Sequence, residues 1–137
     1  MLTSPPDLPI PDGVLRIGDV STLTGLSLRS IRHYEDLGLV QPARRTAGGF
    51  REYDAEAVQR LRLVMHLRLA GLGLEELGAV VDLCRQFELG HEGVDPAALD
   101  NCLDVVDQAA GELELRLEAT RRVQQRLRRA RGGRATT

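Results

Sequence analysis

The stretch RIGDVSTLTGLSLRSIRHYEDLGLVQPARRTAGGFREYD, residues 16–54, carries the strongest structural signal in this chain. Its apolar spacing predicts a first helix over about residues 17–23, ended by the breaker Gly25. A second helix is predicted over about residues 28–37, because Ser27 is a good N-cap whose hydroxyl oxygen accepts a free backbone N–H. Two short helices joined by a tight turn are typical of a helix-turn-helix unit.

The second helix is predicted to be amphipathic. Leu28, Ile31 and Leu37 form its apolar side and are expected to be buried. The outward side is expected to carry four polar side chains: Arg29, Ser30, Arg32 and His33. Two arginines one turn apart can divide the work on DNA, because one reads a base edge in the major groove while the other grips a phosphate.

A basic hairpin is predicted directly after the second helix. Its strands would span residues 44–47 and 50–53, joined by Gly48–Gly49, since Gly-Gly tolerates the positive φ angles of a two-residue loop. The hairpin carries three cations expected on DNA phosphates, Arg44, Arg45 and Arg51. This order of elements predicts a mainly α fold, with a winged helix-turn-helix DNA-binding module over residues 13–86.

Further segments precede and complete this module. Residues 1–12 contain four prolines and are predicted to form an extended, disordered arm. Asp54 is predicted to cap a third helix over about residues 55–70, which is apolar on more than one side and can therefore contact two partners. A fourth helix is predicted over about residues 74–86, followed by a linker over residues 87–94.

A long helix is predicted over residues 95–131, beginning at Asp95–Pro96, with a flexible tail over residues 132–137. Residues at alternating steps of four and three form an a/d seam along it, as in coiled coils. The seam consists of Leu99, Leu103, Val106, Ala110, Leu113, Leu117, Thr120, Gln124 and Leu127. A helix this long with such a seam needs a partner to cover it.

The charges of the long helix indicate which partner. Its first half is acidic and its second half basic, so two antiparallel copies would oppose Asp100 with Arg128 and Asp107 with Arg121. We therefore expect an antiparallel coiled-coil homodimer. Complementing the helix dipole would explain the same order of charges, but it would not explain the seam.

Composition and charge narrow the class of protein. All 18 basic residues are arginine, and the net charge of −2 hides strong segregation. Residues 13–71 contain nine arginines and six acidic residues, and residues 72–114 contain one arginine and eleven acidic residues. Residues 115–137 contain eight arginines and one acidic residue. There is no signal-peptide pattern and no apolar run of membrane-spanning length, so a cytoplasmic protein without membrane contact is expected. Cys84 and Cys102 fit a reduced protein better than a disulfide framework.

Two motifs are specific enough to indicate a family. One is the pair Arg32 and Tyr34 before Glu35, and the other is the wing sequence GFREY at residues 49–53. With them, residues 14–86 resemble the MerR family of bacterial transcriptional regulators. The resemblance implies a dimer that binds a palindromic promoter operator and distorts the double-stranded DNA between two promoter elements. It also implies RNA polymerase as the functional partner.

The expected DNA-binding set combines the helix-turn-helix with the wing. It consists of Arg16, Ser27, Arg29, Ser30, Arg32, His33, Tyr34, Arg44, Arg45, Arg51 and Tyr53. By resemblance, Arg32 and Tyr34 match the family's arginine and second aromatic residue, whereas His33 stands where the family often has another tyrosine. For Ser27, capping of the second helix alone explains the residue without DNA contact. Tyr34 fits a position in the core as well as it fits a DNA contact. Tyr53 is expected to pack the wing against the third helix more than to touch DNA.

Other function classes have weaker signals. No Ser/His/Asp set, paired-carboxylate constellation or phosphate loop occurs, so no enzyme activity is expected. Cys84, Cys102, His66 and His91 lack the three or four ligands at defined spacing that a thiolate-rich site needs, so neither a metal nor a cofactor is expected. Two alternatives stay open: a thiol or metal sensor of the same fold, and an architectural DNA-binding or coiled-coil interaction protein without operator specificity.

Overall fold

The computed structural model describes residues 4–135, in which five helices and one antiparallel two-stranded sheet are present. In chain order these are α1 (Ile17–Thr24), α2 (Leu28–Asp36), β1 (Arg44–Arg45), β2 (Arg51–Glu52), α3 (Ala55–Leu69), α4 (Leu74–Glu88) and α5 (Pro96–Ala135). The mainly α architecture is as predicted. Residues 1–3 and 136–137, which belong to the predicted arm and tail, lie outside the described residues.

Local capping explains where α1 ends and where α2 and α3 begin. Gly25 ends α1 with a left-handed φ of 76°, and its N–H donates to the carbonyl of Ser21 at 2.8 Å. The Ser27 hydroxyl oxygen accepts from the N–H of Ser30 at 3.1 Å at the start of α2. The Asp54 carboxylate accepts from the N–H of Ala57 at 3.1 Å at the start of α3. Both predicted N-caps are confirmed.

A first core cluster joins α1, α2 and α3. Val20, Ile31 and Leu61 are fully buried in it, together with Tyr53 from the end of the wing. The expected burial of Leu28 and Leu37 was wrong, since these side chains are 41% and 47% exposed. The physical reason is that α2 is only nine residues long: Ile31 is its one fully buried residue, and Leu37 already follows its last turn.

A second core cluster joins α3, α4 and the first part of α5. Val64 from α3 and Leu77 and Val81 from α4 are fully buried, and Ala109 of α5 packs onto them. Helix α3 therefore contacts both α1 and α4, as its two apolar sides predicted. Tyr34 of α2 packs against both clusters and is thus partly a core residue.

Residues 4–12 of the proline-rich arm have no regular secondary structure, but they contact the module, unlike the disordered segment expected from their composition. Within residues 4–12, Ile10 packs against the first cluster, and the Leu8 carbonyl accepts a hydrogen bond from Arg62 Nη2 at 2.8 Å. The same Arg62 nitrogen donates to the carbonyl of Leu23 at 2.9 Å. One guanidinium on α3 therefore connects the arm to the end of α1.

The two C-terminal helices are longer than predicted. Phe87 and Glu88, expected in the linker, form the last turn of α4. Asp95 accepts from the N–H of Ala97 at 3.1 Å at the start of α5, which then runs for 40 residues, about 60 Å. It continues past Gly132–Gly133 to Ala135, because glycine costs about 1 kcal/mol in a helix but does not block it. None of the described helices is long and apolar enough to cross a membrane.

Candidate nucleic-acid interface

The outer side of α2 presents the expected polar residues to solvent. Arg29, Arg32 and His33 are exposed, and the ring of His33 lies 5.8 Å from that of Tyr34. Ser30 is half-buried, and its side-chain oxygen accepts a hydrogen bond from the Ser27 hydroxyl at 2.9 Å. The helix therefore offers two arginines and a histidine as donors, while the two serines are partly used by the cap.

The wing is shorter than predicted, and its turn is of another type. Thr46 N–H donates to the Phe50 carbonyl at 2.8 Å, which leaves the three residues 47–49 in the loop in place of the expected two. Only Gly49 has a positive φ, 82°. A three-residue hairpin loop ends in one left-handed residue, so a single glycine suffices. Phe50, which follows it, is 68% exposed at the wing tip.

Glu35 of α2 is the residue that holds the wing against the reading helix. Its carboxylate accepts from Arg51 Nε at 2.8 Å and from the Tyr53 hydroxyl at 2.8 Å, and a terminal nitrogen of Arg45 lies 4.0 Å away. The Glu35 side chain is only 10% exposed. Because charged hydrogen bonds to a screened carboxylate are strong, this cluster fixes the angle between α2 and the hairpin.

The pKa values within this cluster respond to the shared carboxylate. The pKa of Arg51 is raised, first by its hydrogen bond to Glu35 and then by the charge of Glu35. Burial and the hydrogen bond to Glu35 raise the pKa of Tyr53 to about 12. Both side chains are protonated at physiological pH even at their ordinary pKa values, and the raised pKa keeps the Tyr53 hydroxyl a donor at higher pH than a free tyrosine.

Tyr53 does not belong in the DNA-contacting set. Its side chain is 1% exposed and lies in the first core cluster, and its backbone bridges to Leu15 through hydrogen bonds of 2.7 and 2.9 Å. A buried ring of this kind supports the wing and cannot reach a phosphate. The structure agrees with the expectation that Tyr53 packs the wing against the third helix more than it touches DNA, since its cluster includes Val58 and Leu61 of α3.

The wing cations, which were expected to contact DNA phosphates, are paired with carboxylates of the same chain. Arg44 forms an ion pair with Glu52 directly across the sheet, and Arg51 is paired with Glu35. In both cases the bond uses Nε, and Arg44 and Arg45 remain largely exposed. A guanidinium has five N–H donors, so an arginine bonded through Nε still offers terminal donors to a ligand.

Three of the predicted arginines meet in one cleft. This cleft, of about 170 Å³, lies between the start of α1, the outer side of α2 and the wing tip. Its lining residues are Arg16, Ile17, Arg32, Gly49, Phe50 and Arg51. The N-terminus of α1 adds the positive end of a helix dipole to the three guanidiniums. An anionic group such as a DNA backbone phosphate therefore suits this cleft.

Two residues of this interface were missed at the level of sequence. Glu35 and Phe50 were recognised only as parts of motifs and were assigned no role at the site. The contacts of Glu35 cross 16 and 18 residues of chain, so no local spacing indicates them. For Phe50 the signal was its place beside the hairpin loop, since loops lie at the protein surface.

The seam of α5 is largely uncovered. Leu99, Leu103, Leu113, Leu117 and Leu127 are all more than a third exposed. Helix α5 instead contacts its own chain through a neighbouring face, which carries Cys102, Val105, Val106 and Ala109. Of the seam, only Val106 shares in that contact. The arrangement leaves a leucine-rich strip of the expected spacing open to solvent.

The two cysteines lie on opposite sides of the contact between α4 and α5. Cys84 and Cys102 are free thiols, both half-buried at the second cluster. Burial, followed by the nearby Glu88 and Cys102, raises the pKa of Cys84, which lowers its thiolate fraction. Within residues 4–135 no three side chains from His, Cys, Asp and Glu are grouped so that they could hold a metal ion.

Comparison with known proteins agrees with this architecture. The model of a family described as MerR HTH family regulatory protein matches residues 15–83. The HTH-type transcriptional regulator CueR of Escherichia coli O6:H1 is 41% identical over 100 residues, which cover 73% of this chain and 73% of CueR. Two relatives named nodulation protein NolA match over 67 and 62 residues, so the chain spans only 28% of their length.

Two solved structures share the fold. HiNmlR, a MerR family regulator lacking the sensor domain, bound to promoter DNA, has a TM-score of 0.64 at 17% identity, over 82% of this chain and 80% of that chain. At that identity the likeness shows the fold alone. The transcription regulator PbrR691 from Ralstonia metallidurans CH34, in complex with lead(II), has a TM-score of 0.56 at 27% identity, over 84% and 86% of the two chains. The predicted helix-turn-helix fold with a long C-terminal helix is confirmed.

Proposed function

This chain belongs to the MerR HTH family of regulatory proteins, and we propose that it acts as a homodimer on a palindromic promoter operator. Members of this family are DNA-binding transcriptional regulators and not enzymes. In the proposed complex, each subunit places α2 in a major groove and its wing on the adjacent backbone. The two grooves would be separated by at least one turn of DNA, about 34 Å.

The observation that carries this proposal is the cleft formed by Arg16, Arg32 and Arg51. Three separate elements contribute one guanidinium each, and Glu35 holds two of these elements at a fixed angle. A phosphate seated there would set the depth and register of α2 in the groove, which leaves Arg29 and His33 free to approach base edges. Tyr34 contributes its ring to the support of this surface, since it packs on both core clusters.

The homodimer rests on the exposed seam of α5. Antiparallel pairing covers the leucine strip and opposes the acidic half of one helix with the basic half of the other. Exposed ion pairs are worth at most about 1 kcal/mol each, so they would choose the orientation while the leucines supply the affinity. By analogy with the family, the dimer would distort the promoter and alter its use by RNA polymerase.

The test is a binding titration on an operator obtained by selection from random duplexes. Replacing Arg32 by alanine should weaken binding by about 10-fold or more, since it removes a charge-assisted phosphate contact worth about 1.5–3 kcal/mol in each half-site. Arg129→Ala, on an exposed position of α5, removes the same charge away from the interface and should change affinity less than about twofold. Equal losses in the two variants would contradict a reading role for α2.

The same titration separates this proposal from an architectural DNA binder. A regulator should bind the selected site at least about 10³ times more tightly than random DNA at physiological salt. Equal affinity for both would favour the architectural function, and no binding at low salt would favour a coiled-coil adaptor. Transcription by purified RNA polymerase from the selected promoter, with and without the protein, then tests regulation and its direction.

A thiol or metal sensor is the second candidate for the function. It is favoured by the two cysteines at the contact between α4 and α5 and by the likeness to PbrR691, which binds lead(II). Two thiols alone supply fewer than the three or four protein ligands typical of thiolate-rich sites. Stoichiometric binding of a soft metal ion that is lost in Cys102→Ser, with a change in operator affinity, would establish this function.

A further inference from the structure

His33 and Arg29 lie on the part of α2 that points furthest from the core. Ile31 is the fully buried residue of this helix, and both His33 and Arg29 stand two residues away from it. A helix turns by about 100° per residue, so each of these two side chains points about 160° away from Ile31. If α2 enters a major groove as proposed, His33 and Arg29 are the side chains that reach deepest into it.

The side chain of His33 is unused within the subunit. It is exposed, and among residues 4–135 it forms no hydrogen bond and no ion pair. Its ring lies 5.8 Å from that of Tyr34, with the two planes tilted by 45°. Both ring nitrogens are therefore open to a ligand, and a protonated imidazole donates a hydrogen bond through each of them.

The net charge on the outer side of α2 is small, so a single proton changes it strongly. Arg29 lies one turn before His33, Asp36 lies three residues after it, and Arg32 is adjacent in sequence; all three are exposed. Two arginines and one aspartate leave one net positive charge when the imidazole is neutral. Protonation of His33 therefore doubles the charge that this side presents.

The charged groups of the elements packed against α2 have partners of their own. They are Asp19 of α1, which accepts from the N–H of Arg16; Arg45 and Arg51 of the wing, both on Glu35; and Arg60 of α3, which pairs with Asp82. None of them is paired with His33. The charge of the imidazole in the free subunit is therefore set mainly by solvent and by its neighbours on α2.

We infer that operator binding takes up a proton on His33 in each subunit, so that the affinity for DNA falls as the pH rises through the neutral range. The phosphates that border a groove carry negative charge, which favours the imidazolium over the neutral ring. Histidine is the side chain whose charge ordinarily changes between pH 5 and 8. Because coupling between two ligands is reciprocal, DNA that promotes proton uptake is itself bound more tightly when protons are abundant. This inference rests on the proposed placement of α2 in the major groove and adds a form of regulation to it.

The expected effect is about a tenfold higher affinity of the dimer at pH 6.0 than at pH 8.0. This corresponds to about threefold for each half-site, which is the size of a single exposed ionic contact. Ordinary carboxyl groups titrate near pH 4, so they stay ionised over this range. The chain has three histidines, and the other two, His66 and His91, are also exposed.

The test is a titration of the selected operator by fluorescence anisotropy at pH 6.0, 7.0 and 8.0 and constant ionic strength. His33→Gln should bind like the parent at pH 8.0 and gain no affinity at pH 6.0. His33→Arg, with a permanent charge, should bind equally well at all three pH values and at least as tightly as the parent at pH 6.0. His66→Gln and His91→Gln are the matched controls and should keep the tenfold rise.

The salt dependence of the same titration gives a second measurement. Each phosphate neutralised adds about 0.9 to the slope of log affinity against log salt concentration. At pH 6.0 the slope should therefore be shallower in His33→Gln than in the parent by about 2 for the dimer, whereas at pH 8.0 the two slopes should agree. A merely structural effect of the substitution would change binding at both pH values.

The outcomes separate this inference from the proposed function. A rise in affinity at pH 6.0 that persists in His33→Gln would overturn the inference, because another group would then take up the proton. Equal affinity of the parent at pH 6.0 and 8.0, with the operator still preferred over random DNA, would also overturn it and leave the proposed function standing. Loss of that preference at every pH would overturn both.

Discussion

Replacing Glu35 by alanine should loosen the wing and destabilise the module by about 2–3 kcal/mol. The change removes the acceptor of two hydrogen bonds, from Arg51 Nε and from the Tyr53 hydroxyl, both at 2.8 Å. The larger cost is the stranded hydroxyl of buried Tyr53, because an unsatisfied buried polar group costs about 1–3 kcal/mol. The Arg51 side chain is 30% exposed, so water recovers part of its interaction, and that pair contributes about 1 kcal/mol or less.

Graded variants make this expectation specific. Glu35→Gln keeps the shape and one accepting oxygen, so it should cost about 1 kcal/mol. Asp36→Ala removes an exposed acid from the same helix and should change stability by less than about 0.5 kcal/mol. Tyr53→Phe removes the hydroxyl that would be stranded, so adding Glu35→Ala to it should cost less than in the parent.

The assay is urea unfolding followed by circular dichroism at a single protein concentration, because the unfolding midpoint of a dimer shifts with concentration. Trypsin provides a local readout, since the wing carries Arg44, Arg45 and Arg51 and should be cut faster once it is released. If Glu35→Ala were as stable as Asp36→Ala and equally resistant to trypsin, the carboxylate would not be what holds the hairpin to α2.

Three further changes test other parts of the structure. In the parent, the contribution of Tyr53 to the free energy of unfolding should be constant below pH 10 and lost between pH 10 and about 12. The reason is that the pKa of Tyr53 is about 12 in the folded protein and 10.0 in the unfolded chain. Tyr53→Phe should remove this decrease in stability from urea unfolding measured between pH 10 and about 12. Asp54→Ala should cost about 1 kcal/mol in the same assay through loss of the α3 cap, and Asp54→Asn much less. Leu117→Arg, on the seam of α5, should give a monomer by light scattering, whereas Leu115→Arg, on the outer side, should stay dimeric.

Features that depend on a few neighbouring residues could be predicted from the sequence. Ser27 and Asp54 each satisfy a backbone N–H three residues ahead, and Gly25 supplies a left-handed turn, so these residues mark helix ends through their own chemistry. The two apolar sides of α3 likewise predicted its two contacts. The seam of α5 could also be predicted, because its heptad spacing is contained within a single helix.

Features that depend on distant residues could not be predicted in this way. Arg62 binds the Leu8 carbonyl across 54 residues of chain, which holds the proline-rich arm in place although its composition is typical of a mobile segment. The burial of α2 was misjudged for a related reason. Helical spacing indicates which residues share a side, but the neighbours in space determine how many of them are covered, and on α2 only Ile31 is fully buried.

The ion pairs of the wing arginines bear directly on how the wing can bind DNA. If only net charge mattered, Glu52 and Glu35 would neutralise Arg44 and Arg51, and the wing would lose much of its electrostatic attraction for DNA. Each arginine, however, donates to its carboxylate through Nε alone, so the terminal N–H groups of the planar guanidinium stay available as donors. Lysine, a single flexible ammonium, could not divide its donors in a fixed geometry. The carboxylates therefore orient these side chains more than they neutralise them. This is a physical reason for an interface whose Lys and Arg positions are all arginine.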